Sequence, residues 1–219
     1  MMKKFAIVIN SCLKYYSTTL PIIIEKLNLK EDVFCVVGES DVNYDCTYNE
    51  VKTFFRTWGN MDNNGLIWVV KHGKNELKNY EWIFYMHDTC IPLLNFFENI
   101  EQTIDTFGYN HDAIKLNNVS MSIGYYKLSK LWSVDVSEYI LSTINYNKDS
   151  VSIKKIKNNV EDVIFNFIGT KCYNMGILPV TKEDEQNIYG TDTKRVIENW
   201  NYFLKMKANY KGTFEIIEL

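Results

Sequence analysis

The side chains of this sequence best suited to chemistry are acids, amides and one histidine that follow short apolar runs. Asn10 and Ser11 come after residues 5–9, Glu39 and Asp41 after residues 33–37, and His87 and Asp88 after residues 81–86. Residues 122–126 and the pair Glu161 and Asp162 add polar groups farther along. In an open α/β sheet, ligands collect outside the carboxyl ends of the strands, so these positions would share one edge. A single carboxylate at such a strand end suits Mg2+ or Mn2+, because these ions keep several waters and complete their shell with substrate phosphates. That chemistry points to a nucleoside diphosphate ligand.

Absent motifs narrow the field. The sequence has no GxGxxG after its first apolar run, no GxxxxGK[ST] loop, no GxSxG elbow and no HExxH. Dinucleotide oxidoreductase, P-loop NTPase, α/β-hydrolase and zincin readings each lose their main support. Lys and Arg total 24 against 27 acids, a net charge of −3, and the only arginines are Arg56 and Arg195. Nucleic-acid binding draws its affinity from phosphate neutralisation, so a nucleic-acid partner is not expected. The five cysteines are scattered and never in CxxC spacing, which fits free thiols in a reducing compartment. The apolar run at 5–9 is too short for a signal peptide or a membrane span, so the expected location is cytoplasmic, without a transmembrane segment.

The elements that must position these residues follow from periodicity. Residues 5–9 and 33–37 are continuous apolar runs, as in parallel strands covered on both faces, and Leu20, Ile23, Ile24 and Leu27 place a helix between them. A short strand is expected near 51–55 amid polar loops, a helix over 65–77, a strand over 81–86 and a helix carrying Leu93, Phe97, Ile100 and Ile104. A strand over 121–126 and a helix with Val136, Tyr139, Ile140, Thr143 and Ile144 come next. Val160, Val163, Ile164, Phe167 and Ile168 predict a helix that opens at Glu161 and Asp162, where its dipole favours anions. Residues 182–190 read as a polar loop, and Val196, Ile197, Trp200, Phe203 and Leu204 as one face of a last helix. With 219 residues, 46% hydrophobic, and no linker-like stretch, one α/β domain over 1–219 is the economical expectation.

This ordered series resembles the GT-A fold glycosyltransferases, in particular the inverting type of the large family 2. The matching segments are Asn10 after the first strand, Gly38-Glu39-Ser40-Asp41 after the second, the helix from Gly65 to Lys71, Met86-His87-Asp88, Gly124-Tyr125-Tyr126, and Glu161-Asp162. The resemblance implies a Rossmann-like GT-A domain with a mixed, mostly parallel central sheet flanked by helices. It implies donor contacts from Asn10, Ser11, Glu39, Lys71, His87, Asp88 and Arg195, with Asp88 holding Mn2+ or Mg2+. Gly124, Tyr125 and Tyr126 would face the acceptor, and Asp162, with Glu161 as its alternate, would be the catalytic base. The donor would be a UDP- or GDP-sugar and the acceptor a glycan or glycoprotein.

Two departures stand out. Thr89 occupies the place of a second acid, and the C-terminal segment lacks histidine, so lysines or Arg195 could take over the charge of the diphosphate. A non-catalytic binding module on the same fold is the alternative that the lone acid leaves open. A nucleotidylyltransferase is disfavoured because residues 10–15 carry neither Gly nor Arg.

Overall fold

The computed structural model describes residues 3–27, 32–59, 63–117, 122–142, 163–178, 180–184, 195–201 and 203–207. The apolar runs become the centre of an eight-stranded mixed sheet. Strand β1 (Lys3–Cys12) lies between β2 (Val33–Gly38) and β5 (Tyr80–His87), parallel to both. On the β2 side follow β4 (Val51–Phe55), parallel, and β3 (Tyr44–Tyr48), antiparallel. On the β5 side come β8 (Gly124–Lys127), antiparallel, then β7 (Ala113–Lys115) and β9 (Cys172–Asn174), giving the order β3-β4-β2-β1-β5-β8-β7-β9.

Alternation along the strands feeds two cores, one on each face. Ile7, Ile9, Cys35, Val37, Phe84 and Met86 pack with α1 (Tyr16–Leu27) and α4 (Phe96–Phe107). Ala6, Val8, Phe34, Val36, Ile83 and Tyr85 pack on the other face. The helices there are α2 (Asn64–Lys71), α3 (Lys74–Leu77), α5 (Leu128–Leu131), α6 (Val134–Ser142) and α7 (Val163–Ile168). Covering both faces is why the central strands read as unbroken hydrophobic runs rather than alternating ones. The helix expected over 65–77 is broken at His72 and Gly73 into α2 and α3, and it provides the crossover from β4 to β5.

A second sheet corrects the reading of the C-terminal region. Instead of a helix, residues 195–207 form an antiparallel pair, β11 (Arg195–Asn199) and β12 (Phe203–Lys207), with Asn201 at φ 77 in the turn. Strand β10 (Val180–Asp184) takes up the first part of the expected polar loop and pairs with β11. The far neighbour of β12 is β6 (Cys90–Pro92), which directly follows the end of β5, so the order is β10-β11-β12-β6. The spacing of Val196, Ile197, Trp200, Phe203 and Leu204 suits a helix face, but the pairing of β12 with β6 prevails. Pro92 is tolerated because β6 is an edge strand.

In α7 the buried side chains are Ile164, Phe165 and Ile168, while Phe167, expected on the inner face, is exposed and stacks on Tyr139. All five cysteines are free thiols. Among the described residues no helix is long and apolar enough to cross a membrane.

Candidate active site

The chain winds from β1 outward through β2 to β4, then crosses back over α2 and α3 to β5 on the other side of β1. The strand order therefore reverses between β1 and β5, and the crevice outside their carboxyl ends is where such a sheet offers a ligand site. Four residues singled out in the sequence meet there: Asn10, Ser11, His87 and Asp88. Asn10 is opposite His87 in the parallel register, and the Asp88 N–H donates to the Asn10 carbonyl at 2.9 Å.

Asp88 is the hub of this edge. Its Oδ2 accepts the Ser11 hydroxyl at 2.5 Å and lies 3.3 Å from the Thr19 hydroxyl of α1. Thr19 also donates to the Tyr15 carbonyl at 3.0 Å, so its single proton is shared between the two acceptors. Burial pushes the Asp88 carboxyl up to about 6, opposed by the Ser11 and Thr19 hydroxyls and by its own backbone N–H. At neutral pH it is mostly a carboxylate. The neighbouring Cys12 thiol is pushed up to about 11, first by burial and then by the Asp88 charge, which makes it a poor nucleophile. His87 is buried, with its ring edge-on to Tyr85.

The head of α2 completes the edge. Asn10 Oδ1 accepts the Gly65 N–H at 2.8 Å, so the Asn10 amide caps the helix from another strand instead of standing clear for a donor. Gly65 is required by closeness, since a Cβ there would fall 2.7 Å from Cε2 of Tyr85. Asn63 Oδ1 accepts the Ser122 hydroxyl at 3.2 Å, and the Ser122 carbonyl accepts the Tyr126 hydroxyl at 2.8 Å. Ser122 is fully buried at φ 63, a conformation that a non-glycine residue holds only where its surroundings dictate it. Asn63, Asn64 and Thr19 were not singled out in the sequence, whereas Ser122 opened the polar stretch 122–126 that was. The one signal for the two asparagines was a pair of amides directly before Gly65, and nothing in the sequence marked Thr19.

Several expected contacts turn out differently. Tyr125 and Tyr126 are fully buried, Tyr125 against Phe84 and Tyr126 stacked on Phe165 at 4.7 Å, so neither lines an acceptor cleft. Gly124 serves packing, because a Cβ there would sit 2.6 Å from the Ile114 carbonyl oxygen and 2.9 Å from Phe165. Gly124→Ala is therefore expected to cost about 1–3 kcal/mol, as overpacking does, read as a lower urea midpoint at unchanged slope. Lys71 ends α2, about 9 Å along the helix from Gly65 at 1.5 Å per residue. It is exposed, with its ammonium over the Trp58 ring at 5.4 Å.

Glu39 remains at the edge, half-buried at the end of β2 with φ 63, its N–H donating to the Trp58 carbonyl at 2.9 Å. Arg195 is opposite Asp184 in the β10–β11 register. Glu161 and Asp162, the expected base pair, lie outside the described residues.

Among the described residues no three His, Cys, Asp or Glu side chains gather as a metal cage. A divalent ion at this edge would rest on Asp88 and on the phosphates of the ligand, a donor set that Mg2+ and Mn2+ accept. The second sheet brings the C-terminal segment alongside, with Lys205 opposite Cys90 in the β12–β6 register, two residues beyond Asp88. Compared with known proteins, the chain matches no protein-family model and no curated sequence, so the chemistry of this crevice is read from its own residues.

Proposed function

We propose that this chain is a glycosyltransferase, moving a sugar from a UDP- or GDP-sugar to a hydroxyl of a glycan or glycoprotein, with inversion. The observation that carries the reading is the convergence of Ser11, His87 and Asp88 on the crevice between β1 and β5. The mixed, mostly parallel sheet flanked by helices is the frame such an enzyme needs, and the lone acid at the strand end suits a diphosphate with its counter-ion.

In the proposed reaction the acceptor hydroxyl attacks the anomeric carbon as the bond to the diphosphate breaks, and the acceptor proton passes to a carboxylate. Asp162 is assigned that role, with Glu161 as its alternate. Asp88 would hold a divalent ion, whose positive charge would favour departure of the diphosphate. Ser11 and Thr19 fix the Asp88 carboxylate in place. Lys205, and Arg195 from β11, are the cations that would share this charge from the C-terminal side. A non-catalytic glycan-binding module is the second reading, favoured by how far Asp88 is enclosed, at 8% exposure.

Calorimetric titration with UDP and GDP, with and without Mn2+, separates the two. Wild type is expected to bind one of them more tightly with Mn2+. Asp88→Ala should weaken that binding at least about tenfold, the loss expected for one charge-assisted contact of roughly 1.5 kcal/mol or more. Asp162→Ala should keep binding and lose transfer. Binding of neither diphosphate under any metal condition sinks the enzyme reading.

A further inference from the structure

One buried polar side chain at the head of α2 has no role so far. Asn64 is fully buried, and neither its amide nitrogen nor its amide oxygen has a hydrogen-bond partner among the described residues. The eight-residue helix it opens points its N-terminus at the crevice, where the Gly65 N–H meets Asn10. The amide lies against Gly38 at the carboxyl end of β2, where an added Cβ would come 1.8 Å from the Asn64 nitrogen. Gly38 thus makes room for the amide without giving it a bond.

Enclosing an amide with both ends unsatisfied is destabilising, whereas an apolar side chain of the same shape would cost little, so this position is poorly explained by packing. Its neighbours differ: the Asn10 oxygen is engaged by Gly65 and the Asn63 oxygen by Ser122. Among the described residues no hydrogen bond holds the Asn64 amide beside Gly38, so a ligand reaching the carboxyl end of β2 would break none there to engage it.

We infer that Asn64 is the residue that reads the nucleobase of the donor, its amide pairing in plane with the edge of a pyrimidine or purine. The inference rests on the nucleoside diphosphate reading above. A helix N-terminus alone would favour an anion. An anion only accepts hydrogen bonds, however, and would leave the amide oxygen unpaired. A base edge carries a donor beside an acceptor and satisfies both ends at once.

The test compares Asn64→Leu with wild type by thermal melting and by titration with UDP, GDP and inorganic pyrophosphate. Removing the unsatisfied amide should raise Tm by about 2–4 °C, the shift that goes with 1 kcal/mol in a domain of this size. The nucleotide that wild type binds should bind about tenfold to a hundredfold more weakly, as for a lost bidentate amide–base pair. Pyrophosphate, which has no base, should bind as in wild type. If Asn64→Leu fails to fold, Asn64→Asp keeps the shape and removes the donor, and the same split between nucleotide and pyrophosphate is expected. Unchanged nucleotide affinity, or an equal loss for pyrophosphate, overturns the assignment and leaves the glycosyltransferase reading standing. Wild type that binds neither UDP nor GDP overturns both.

Discussion

Asp88→Asn is expected to be more stable than wild type at pH 8 by about 3 kcal/mol and close to wild type at pH 4, with EDTA present in both. Burial raises the Asp88 carboxyl from 3.8 to about 6, so the folded protein holds that proton more tightly than the unfolded chain does. The stabilisation from this group is fully present below its unfolded pKa and is lost as pH rises through about 6. Roughly two units at about 1.4 kcal/mol each give the size of the effect. Asparagine has the same shape, is neutral throughout, and keeps an oxygen to accept from Ser11. Urea titrations at pH 4, 6 and 8 provide the measurement. A variant less stable than wild type at pH 8 would show that the hydroxyls outweigh the burial. The same substitution should weaken metal-dependent diphosphate binding, so stability gained and function lost would map to one side chain.

Phe84→Ala should cost about 3–5 kcal/mol, the usual loss for truncating a fully buried aromatic. Phe84 has no exposed surface, and its ring meets Phe96 of α4 at 5.6 Å, Tyr125 of β8 at 4.9 Å and Phe203 of β12 at 6.3 Å. One side chain of the large sheet thus anchors a helix, a neighbouring strand and the second sheet. Against a typical total of 5–15 kcal/mol, its removal takes away a large share of the stability. Equilibrium urea unfolding followed by tryptophan fluorescence would read it, with Trp82 in the large sheet and Trp200 in the turn between β11 and β12. A loss below about 1 kcal/mol would contradict the view that the second sheet rests on β5.

How legible each part was in the sequence depends on what determined it. Strands β1, β2 and β5 are buried on both faces, so their apolar runs and polar ends were plain, and with them Asn10, Ser11, His87 and Asp88. Strand β3 was missed because its residues are mostly exposed. Its hairpin to β4 turns through Asn49 and Glu50, both at positive φ, without the glycine that usually announces such a turn. Strands β11 and β12 were read as a helix because their apolar spacing suits either form, and the deciding partner, β6, is remote in sequence. Tyr125 and Tyr126 were ambiguous for another reason: a tyrosine can line a cleft or fill a core, and here the core takes both rings. Asn63 and Asn64 looked like polar loop. Only the crossover through α2 sets them over the strand ends.

The pairing of β12 with β6 also has a consequence for biosynthesis. Strand β6 emerges from the ribosome soon after β5, but the strand that covers its edge is among the last described segments to be made. Until then the backbone beside Asp88 has an open hydrogen-bonding edge, the kind of surface on which nascent chains associate wrongly. The edge of the crevice is thus finished late in synthesis, and a slowly translated or truncated chain would be most exposed at the very place where the proposed ligand would bind.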